Sequence, residues 1–175
     1  MQKIRTLNIG CGKDSWGTHR IDLYKTPITT HVVNVDKQKL PFPNNYFNEV
    51  RILGALEHFK NLGFVIDEVY RVMKKDAKLW IRTNHAGFIF FHIAKKMEHS
   101  EITRRWYKID YFGHNQGDDH HFHLFVESHL KALLKNFRNV KTKFFYMNPN
   151  SWKGKLLRML PRNLGASQID LWAIK

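Results

Sequence analysis

Three strand-like segments near the start of the chain each end at residues suited to binding a small ligand. The strand predicted over Ile4–Ile9 runs into the glycine-rich turn Gly10-Cys11-Gly12, and the next two predicted strands end at Asp22 and at Asp36. A glycine turn lets the backbone approach a ligand closely, because glycine has no Cβ. In an open sheet of parallel strands the carboxyl ends of the strands meet at one edge, where ligands bind. The spacing therefore predicts an α/β fold with a ligand site at that edge.

The remaining segments fit the same fold class. Short apolar stretches alternate with helical or turn-forming sequence, which is typical of a parallel sheet covered by helices. The predicted strands are Ile4–Ile9, Arg20–Leu23, His31–Val35, Phe47–Leu53, Leu79–Thr83, Val140–Tyr146 and Ile169–Ile174. The predicted helices are Leu62–Lys74, Phe88–Met97 and Glu127–Phe137, and a turn is predicted at Asp76 and Ala77. Since no repeat or linker interrupts the pattern, residues 1–175 are expected to form a single domain.

Charge is the most unusual property of the composition. The chain has a formal net charge of +14, and residues 130–175 hold ten Lys or Arg against one acid, Asp170. Such a surface attracts RNA, acidic lipid headgroups or phosphorylated small molecules, although it also serves solubility alone. The single cysteine, Cys11, excludes an internal disulfide and a cysteine-based zinc site. We expect no signal peptide and find no apolar run of bilayer-spanning length, so a cytoplasmic location is predicted.

Longer strings of sequence add a family resemblance. They are Leu-Asn-Ile-Gly-Cys-Gly from residue 7, Arg-Ile-Asp-Leu from residue 20, Leu-Pro-Phe-Pro-Asn-Asn from residue 40 and Leu-Glu-His-Phe from residue 56. In this order over residues 7–84, they resemble the class I S-adenosylmethionine-dependent methyltransferases. The resemblance implies a Rossmann-like, seven-stranded, mostly parallel sheet with flanking helices and an antiparallel last strand. It also implies a cofactor half over about residues 1–84 and an acceptor-binding half over about residues 85–175.

The resemblance further implies roles for individual residues. It places Gly10, Cys11 and Gly12 against the methionine part of S-adenosylmethionine, Asp22 on the ribose and Asp36 on the adenine. The other residues that it implies as cofactor contacts are Asn8, Leu23, Lys39, Leu40, Leu56 and Glu57. Asn8 stands where the family often has an acid. Only nine residues separate Gly12 from Asp22, which is too short for a full crossover helix.

Side chains outside the cofactor half supply most candidates for the chemistry. A neutral imidazole can accept a proton near pH 7, so His121 is the first candidate for a general base, followed by Tyr111 and His58. The run Asp118–His123 also contains residue types found in metal sites. Its spacing matches no specific metal motif, and methyl transfer needs no metal, so no metal is predicted.

The sequence predicts methyl transfer from S-adenosylmethionine to an oxygen or nitrogen of an unidentified small-molecule or glycan acceptor, with S-adenosylhomocysteine as product. A glycan or glycolipid precursor is the first choice of acceptor. One alternative is an RNA methyltransferase that uses the basic C-terminal region. Another is a non-catalytic protein that binds S-adenosylmethionine or serves as a scaffold.

The segment from Ser151 to Leu160 carries a separate prediction. Ser151 is suited to cap a helix in which Trp152, Leu156 and Leu160 follow i, i+4 spacing among basic residues. The favoured interpretation is that these apolar side chains pack on the body of the domain. The alternative is that the helix contacts an anionic membrane surface as a peripheral element.

Overall fold

The computed structural model describes residues 4–89 and 121–175. Within them, seven strands form one sheet in the order β3-β2-β1-β4-β5-β7-β6. The strands are β1 (Thr6–Ile9), β2 (His19–Asp22), β3 (His31–Val32), β4 (Phe47–Leu53), β5 (Met73–Asn84), β6 (Arg138–Phe145) and β7 (Gln168–Ile174). The helices are α1 (Leu62–Val72), α2 (Glu127–Leu133), α3 (Trp152–Met159) and α4 (Arg162–Gly165), with a 3-10 turn at Leu56–His58.

The strand directions confirm the predicted sheet. β3, β2, β1, β4 and β5 pair in parallel, whereas β7 is antiparallel to both β5 and β6. Five parallel strands therefore end at the same edge of the sheet. The chain between β1 and β2 forms turns and no helix, as expected from its length.

Several element ends differ from the predicted ones. β3 stops at Val32 because a turn begins at Asn34, whose side-chain oxygen accepts a hydrogen bond of 3.1 Å from the Asp36 N–H. α2 ends at Leu133 instead of Phe137, although Phe137 is buried as predicted. The other strand ends shift by only a few residues, except at the start of β5.

The boundary between α1 and β5 lies earlier than predicted. α1 ends at Val72 instead of Lys74, and Met73 already has an extended backbone and pairs with Phe47 of β4. The predicted turn is a bulge inside β5, where Asp76 has a φ of 63° and the pairing with β4 shifts register. The short polar side chain of Asp tolerates this left-handed conformation better than most residues do.

The predicted inner face of α1 packs on the sheet. Val65, Ile66 and Val69 are all buried, and the side chain of Asn61 caps the helix by accepting a hydrogen bond from the Phe64 N–H. The central strands contribute the fully buried side chains Leu7, Ile9, Ile52 and Ile81. Apolar packing on this scale fixes the strand ends relative to one another.

The segment between β6 and β7 forms a capped helix, as predicted. The Ser151 Oγ accepts a hydrogen bond of 3.0 Å from the Gly154 N–H. Leu160 is half-buried, but Trp152 and Leu156 are 71% and 55% exposed. The favoured expectation that these apolar side chains pack on the domain is therefore wrong for Trp152 and Leu156.

Some predictions fall outside the described residues. The predicted helix Phe88–Met97 does so apart from its first two residues, and Tyr111 and the run 118–120 do so entirely. In the described part of the chain, every helix is too short or too polar to cross a bilayer. The cytoplasmic location stays a prediction.

Candidate functional site

The glycine turn after β1 is held against the end of β2. The N–H groups of Gly10 and Cys11 both donate to the carbonyl oxygen of Ile21, at 3.0 and 3.1 Å. Gly10 and Gly12 have φ values of 67° and 51°, a region that glycine adopts without strain. A Cβ on Gly10 would lie closer than 3.0 Å to the Cβ of Ala55, whereas a Cβ on Gly12 would meet no atom of the described residues within 4 Å. Gly10 is thus required by packing, and a side chain at Gly12 would contact none of the residues that the structure describes.

Asp22 faces this turn from the end of β2. One carboxylate oxygen accepts a hydrogen bond of 2.8 Å from the Gly12 N–H, and the other accepts one of 3.2 Å from the Tyr24 N–H. These bonds fix the orientation of the carboxylate. Each carboxylate oxygen has two lone pairs, so Asp22 keeps the capacity to accept hydrogen bonds from ligand hydroxyls.

Asp36 connects the loop after β3 to the start of α1. Its Oδ1 accepts hydrogen bonds of 2.9 Å from the N–H groups of both Lys60 and Asn61. Asn61 is the N-cap of α1, so Asp36 holds the beginning of this helix beside the sheet edge. Asp36 therefore has a structural role in addition to its place at the cavity.

These residues surround a cavity of about 960 Å³ at the carboxyl ends of β1, β2 and β4. Its volume falls at the upper end of the ~300–1,000 Å³ range of small-molecule sites. One predicted catalytic residue, His58, lines it. The predicted cofactor contacts that line it are Gly10, Gly12, Asp22, Leu23 and Asp36.

The other predicted cofactor contacts do not line the cavity, namely Asn8, Cys11, Lys39, Leu40, Leu56 and Glu57. Leu56 is fully buried in the core. The Leu40 N–H donates to Glu68 Oε2 at 2.8 Å, and the Asn8 side chain donates to Asp14 Oδ2 at 3.1 Å. The Leu40 N–H and the Asn8 side chain are therefore paired within the protein.

Cys11 is a packing residue next to the turn. Its side chain is buried, and its sulfur lies 3.9 Å from the Thr29 Oγ1. Burial raises the pKa of the Cys11 thiol above its usual value. Since the thiolate is the reactive form, this environment opposes a nucleophilic role.

Glu57 and His121 lie next to His58, the one of the three that lines the cavity, and we refer to the three residues as the rim cluster. One side-chain nitrogen or oxygen of each residue lies within 4.8 Å of the corresponding atoms of the other two. The rings of His58 and His121 meet edge to face with a centroid distance of 4.7 Å. Glu57 is buried and accepts a hydrogen bond of 2.8 Å from the Thr83 hydroxyl. Two imidazoles and a carboxylate can transfer a proton, and they are also ligand types for a divalent metal.

Backbone hydrogen bonds bring the second half of the chain to the rim cluster. The Glu57 carbonyl oxygen accepts from the N–H groups of Phe122 and His123, at 2.8 and 3.2 Å. Phe122 lines the cavity, and the Lys60 ammonium lies 4.6 Å from the centroid of its ring. Among the described residues, the buried His123 Nε2 has no hydrogen-bond partner.

Sequence reasoning missed several residues of the cavity. After β4 the lining residues are Gly54 and Ala55, because the chain enters the 3-10 turn at the residue that follows them. The missed polar residues are Lys13, Tyr24, Thr26, Asn34, Lys37 and Lys60. All of them lie within three residues of a predicted contact. Lys60 follows Glu57 by three residues, and the hydrogen bond from its N–H to Asp36 holds it at the cavity.

A family model matches part of the chain. Residues 18–81 match a family model described as a methyltransferase domain. A comparison with curated proteins gave no match.

Solved structures are similar over almost the whole chain. One is a SAM-dependent methyltransferase from Archaeoglobus fulgidus, with a TM-score of 0.64, 17% identity, and coverage of 99% of this chain and 87% of that chain. Another, from Thermotoga maritima, is described as a possible histamine N-methyltransferase; its TM-score is 0.62 at 12% identity, with 100% and 84% coverage. A third is phosphoethanolamine N-methyltransferase 2 from Haemonchus contortus with S-adenosylhomocysteine; its TM-score is 0.61 at 15% identity, with 98% and 48% coverage.

Proposed function

We propose that this chain is a class I S-adenosylmethionine-dependent methyltransferase and that it methylates an oxygen or nitrogen of a small polar acceptor. Its fold and the methyltransferase family model matched by residues 18–81 support the first part of this proposal. The observation that carries this proposal is the grouping of Glu57 and His121 around His58, which lines the cavity bordered by the glycine turn. A glycan or glycolipid precursor is the acceptor class that we favour. Its hydroxyl groups are nucleophiles that need a nearby proton acceptor, which the rim cluster supplies.

The residues of the cavity fit S-adenosylmethionine. Gly12 and Lys13 both line the cavity beside the turn, where the methionine part would lie, and Lys13 offers a cationic group for its carboxylate. Asp22 is held by two backbone N–H groups at the place proposed for the ribose hydroxyls. Asp36 lines the side proposed for the adenine.

The rim cluster would act on the acceptor. When bound, S-adenosylmethionine supplies an activated methyl group. The contribution of the chain is to hold the acceptor nucleophile in line with that group and to remove its proton. His121 is the first candidate for this base, and His58 is a further candidate. Glu57, fixed by the Thr83 hydroxyl, would orient the two imidazoles.

A methyl-transfer assay with sugar and glycolipid acceptors tests this proposal. We expect His121→Ala to lower kcat by about 10²–10⁴-fold while S-adenosylhomocysteine binding is unchanged. The matched control is His129→Ala, because His129 is an exposed histidine on α2 outside the cavity lining. Full activity of His121→Ala would contradict the role of His121. Retained cofactor binding with no transfer to any acceptor would favour the non-catalytic alternative.

RNA is the second candidate acceptor. The edge strand β6 exposes Lys141 and Lys143, which favours contact with a polyanion. RNA binding through phosphate contacts would fall steeply with salt concentration. If the rate of methyl transfer to a sugar did not change with salt concentration, this result would instead support the first proposal.

A further inference from the structure

α3 is fixed to the domain through one face. Gly154 and Leu157 are buried, and a Cβ on Gly154 would lie closer than 3.0 Å to the Asn148 carbonyl oxygen. Ser151 caps the helix by accepting a hydrogen bond from the Gly154 N–H. A Cβ on Gly165 would likewise lie closer than 3.0 Å to the Leu157 carbonyl oxygen, so the end of α4 packs closely against α3. The inner face of α3 is therefore closely packed against the domain.

The opposite face of α3 is apolar and exposed. Trp152, Leu156 and Met159 are 71%, 55% and 82% exposed. Their spacing of i, i+4 and i+7 places them on one stripe of the helix. Exposed apolar side chains are common singly, but a contiguous stripe marks an interaction surface.

Cationic side chains surround this stripe. Lys153, Lys155 and Arg158 are exposed, and none of them takes part in an ion pair within the described residues. From residue 139 to residue 169 the sequence contains no Asp or Glu. The surface therefore combines apolar side chains with uncompensated positive charge.

α3 lies at the edge of the sheet that carries the cavity. β6 leads into α3 and runs in the same direction as β1–β5, because β5 and β6 are both antiparallel to β7. The segment after α4 is joined to the end of β5, where the His85 N–H donates to the Ser167 carbonyl oxygen at 3.0 Å. A surface that bound α3 would therefore lie beside the cavity-bearing edge.

We propose that α3 docks this protein on an anionic lipid bilayer. Trp152, Leu156 and Met159 enter the boundary between headgroups and acyl chains, and Lys153 and Lys155 contact lipid phosphates. Charge complementarity favours this occupant over a neutral partner. The apolar stripe favours it over RNA, whose binding relies on cations and aromatic stacking and has no use for Leu and Met. The inference is independent of the proposed methyl acceptor.

Vesicle co-sedimentation tests the proposal. We expect the protein to bind vesicles of phosphatidylcholine mixed with phosphatidylglycerol, to bind pure phosphatidylcholine weakly, and to be released by salt. The triple variant Trp152→Ser/Leu156→Ser/Met159→Ser is expected to weaken binding by more than about 100-fold, since each buried apolar side chain contributes about tenfold. Its melting temperature should match that of the wild type, because the three side chains are exposed. Ile4→Ser, at a 68% exposed residue before β1, is the matched control and should bind normally.

A charge series provides the second arm. Lys153→Gln/Lys155→Gln should lower binding by about fivefold per lysine. Lys135→Gln, at an exposed lysine that precedes β6 whereas α3 follows it, should have no effect. Unaltered binding of the triple variant would overturn the proposal, as would equal binding to neutral vesicles. Concentration-dependent dimerisation abolished by the triple variant, without vesicle binding, would assign the stripe to a second copy of this chain. Binding of RNA but not of vesicles would assign it to nucleic acid.

Discussion

The close approach of Gly10 to Ala55 predicts how much a substitution of Gly10 lowers the free energy of unfolding. Gly10→Ala places a methyl group closer than 3.0 Å to the Ala55 Cβ, in a backbone conformation with φ of 67°. The left-handed conformation costs about 1–2 kcal/mol for a non-glycine residue. Overpacking against Ala55 adds about 1–3 kcal/mol. We therefore expect Gly10→Ala to lower the free energy of unfolding by about 2–5 kcal/mol.

Two comparison variants separate these contributions. Gly12→Ala has the same left-handed strain, with φ of 51°, but within residues 4–89 and 121–175 its Cβ meets nothing within 4 Å, so it should cost only about 1–2 kcal/mol. Ala55→Gly removes the methyl group that Gly10→Ala strikes. The double variant Gly10→Ala/Ala55→Gly should recover the overpacking, which gives a favourable coupling free energy of about 1–3 kcal/mol.

Urea denaturation of the four proteins in the Gly10/Ala55 cycle, with Gly12→Ala beside them, measures these values by linear extrapolation. Gly12→Ala should also weaken S-adenosylhomocysteine binding, because its new methyl group borders the cavity. If Gly10→Ala cost no more than Gly12→Ala, or if the Gly10 and Ala55 changes were additive, the close approach of the turn to Ala55 would be refuted.

Three further predictions concern pH, a buried charge and metals. Hydrogen bonds from Arg71 lower the pKa of Glu68 in the folded protein. The pair therefore stabilises the fold fully at pH values above the unfolded-state pKa of about 4.3. This stabilisation is lost as the pH falls through the lower folded-state pKa. In acid titrations followed by circular dichroism, Glu68→Gln should be less stable than the wild type near neutral pH. The difference between their free energies of unfolding should become smaller below about pH 4. Asp170 is fully buried and accepts from Arg82 at 2.7 and 2.8 Å, so Asp170→Ala should cost about 3 kcal/mol in urea denaturation. EDTA should leave methyl transfer unchanged; activity lost with EDTA and restored by a divalent ion would assign the rim cluster to a metal.

Local sequence determined much of what was predictable. The positions of Gly10, Asp22 and Asp36 follow from where short parallel strands end, and these residues do line the cavity. The inner face of α1 was predictable because helical spacing shows which residues point the same way.

Contacts between distant segments account for what was missed. The Leu40 N–H is paired with Glu68, 28 residues away, and no local pattern indicates this. Lys60 reaches the cavity because its N–H binds Asp36, 24 residues earlier.

α3 shows a different limit of sequence reasoning. Its apolar residues cover two faces, so periodicity alone does not say which face is turned inward. In the structure the face with Gly154 and Leu157 is turned inward, and Trp152 and Leu156 are exposed.

Thermal unfolding with and without S-adenosylhomocysteine tests most directly whether the cavity is the cofactor site. At a ligand concentration of about 100 times Kd, binding adds about 2.7 kcal/mol of stability. For a domain of this size, the melting temperature should rise by about 5–10 °C. Asp22→Ala should abolish the rise, and Asp67→Ala, at an exposed acid of α1 outside the cavity lining, should retain it. No rise at saturating ligand, or a full rise in Asp22→Ala, would contradict the assignment of this cavity.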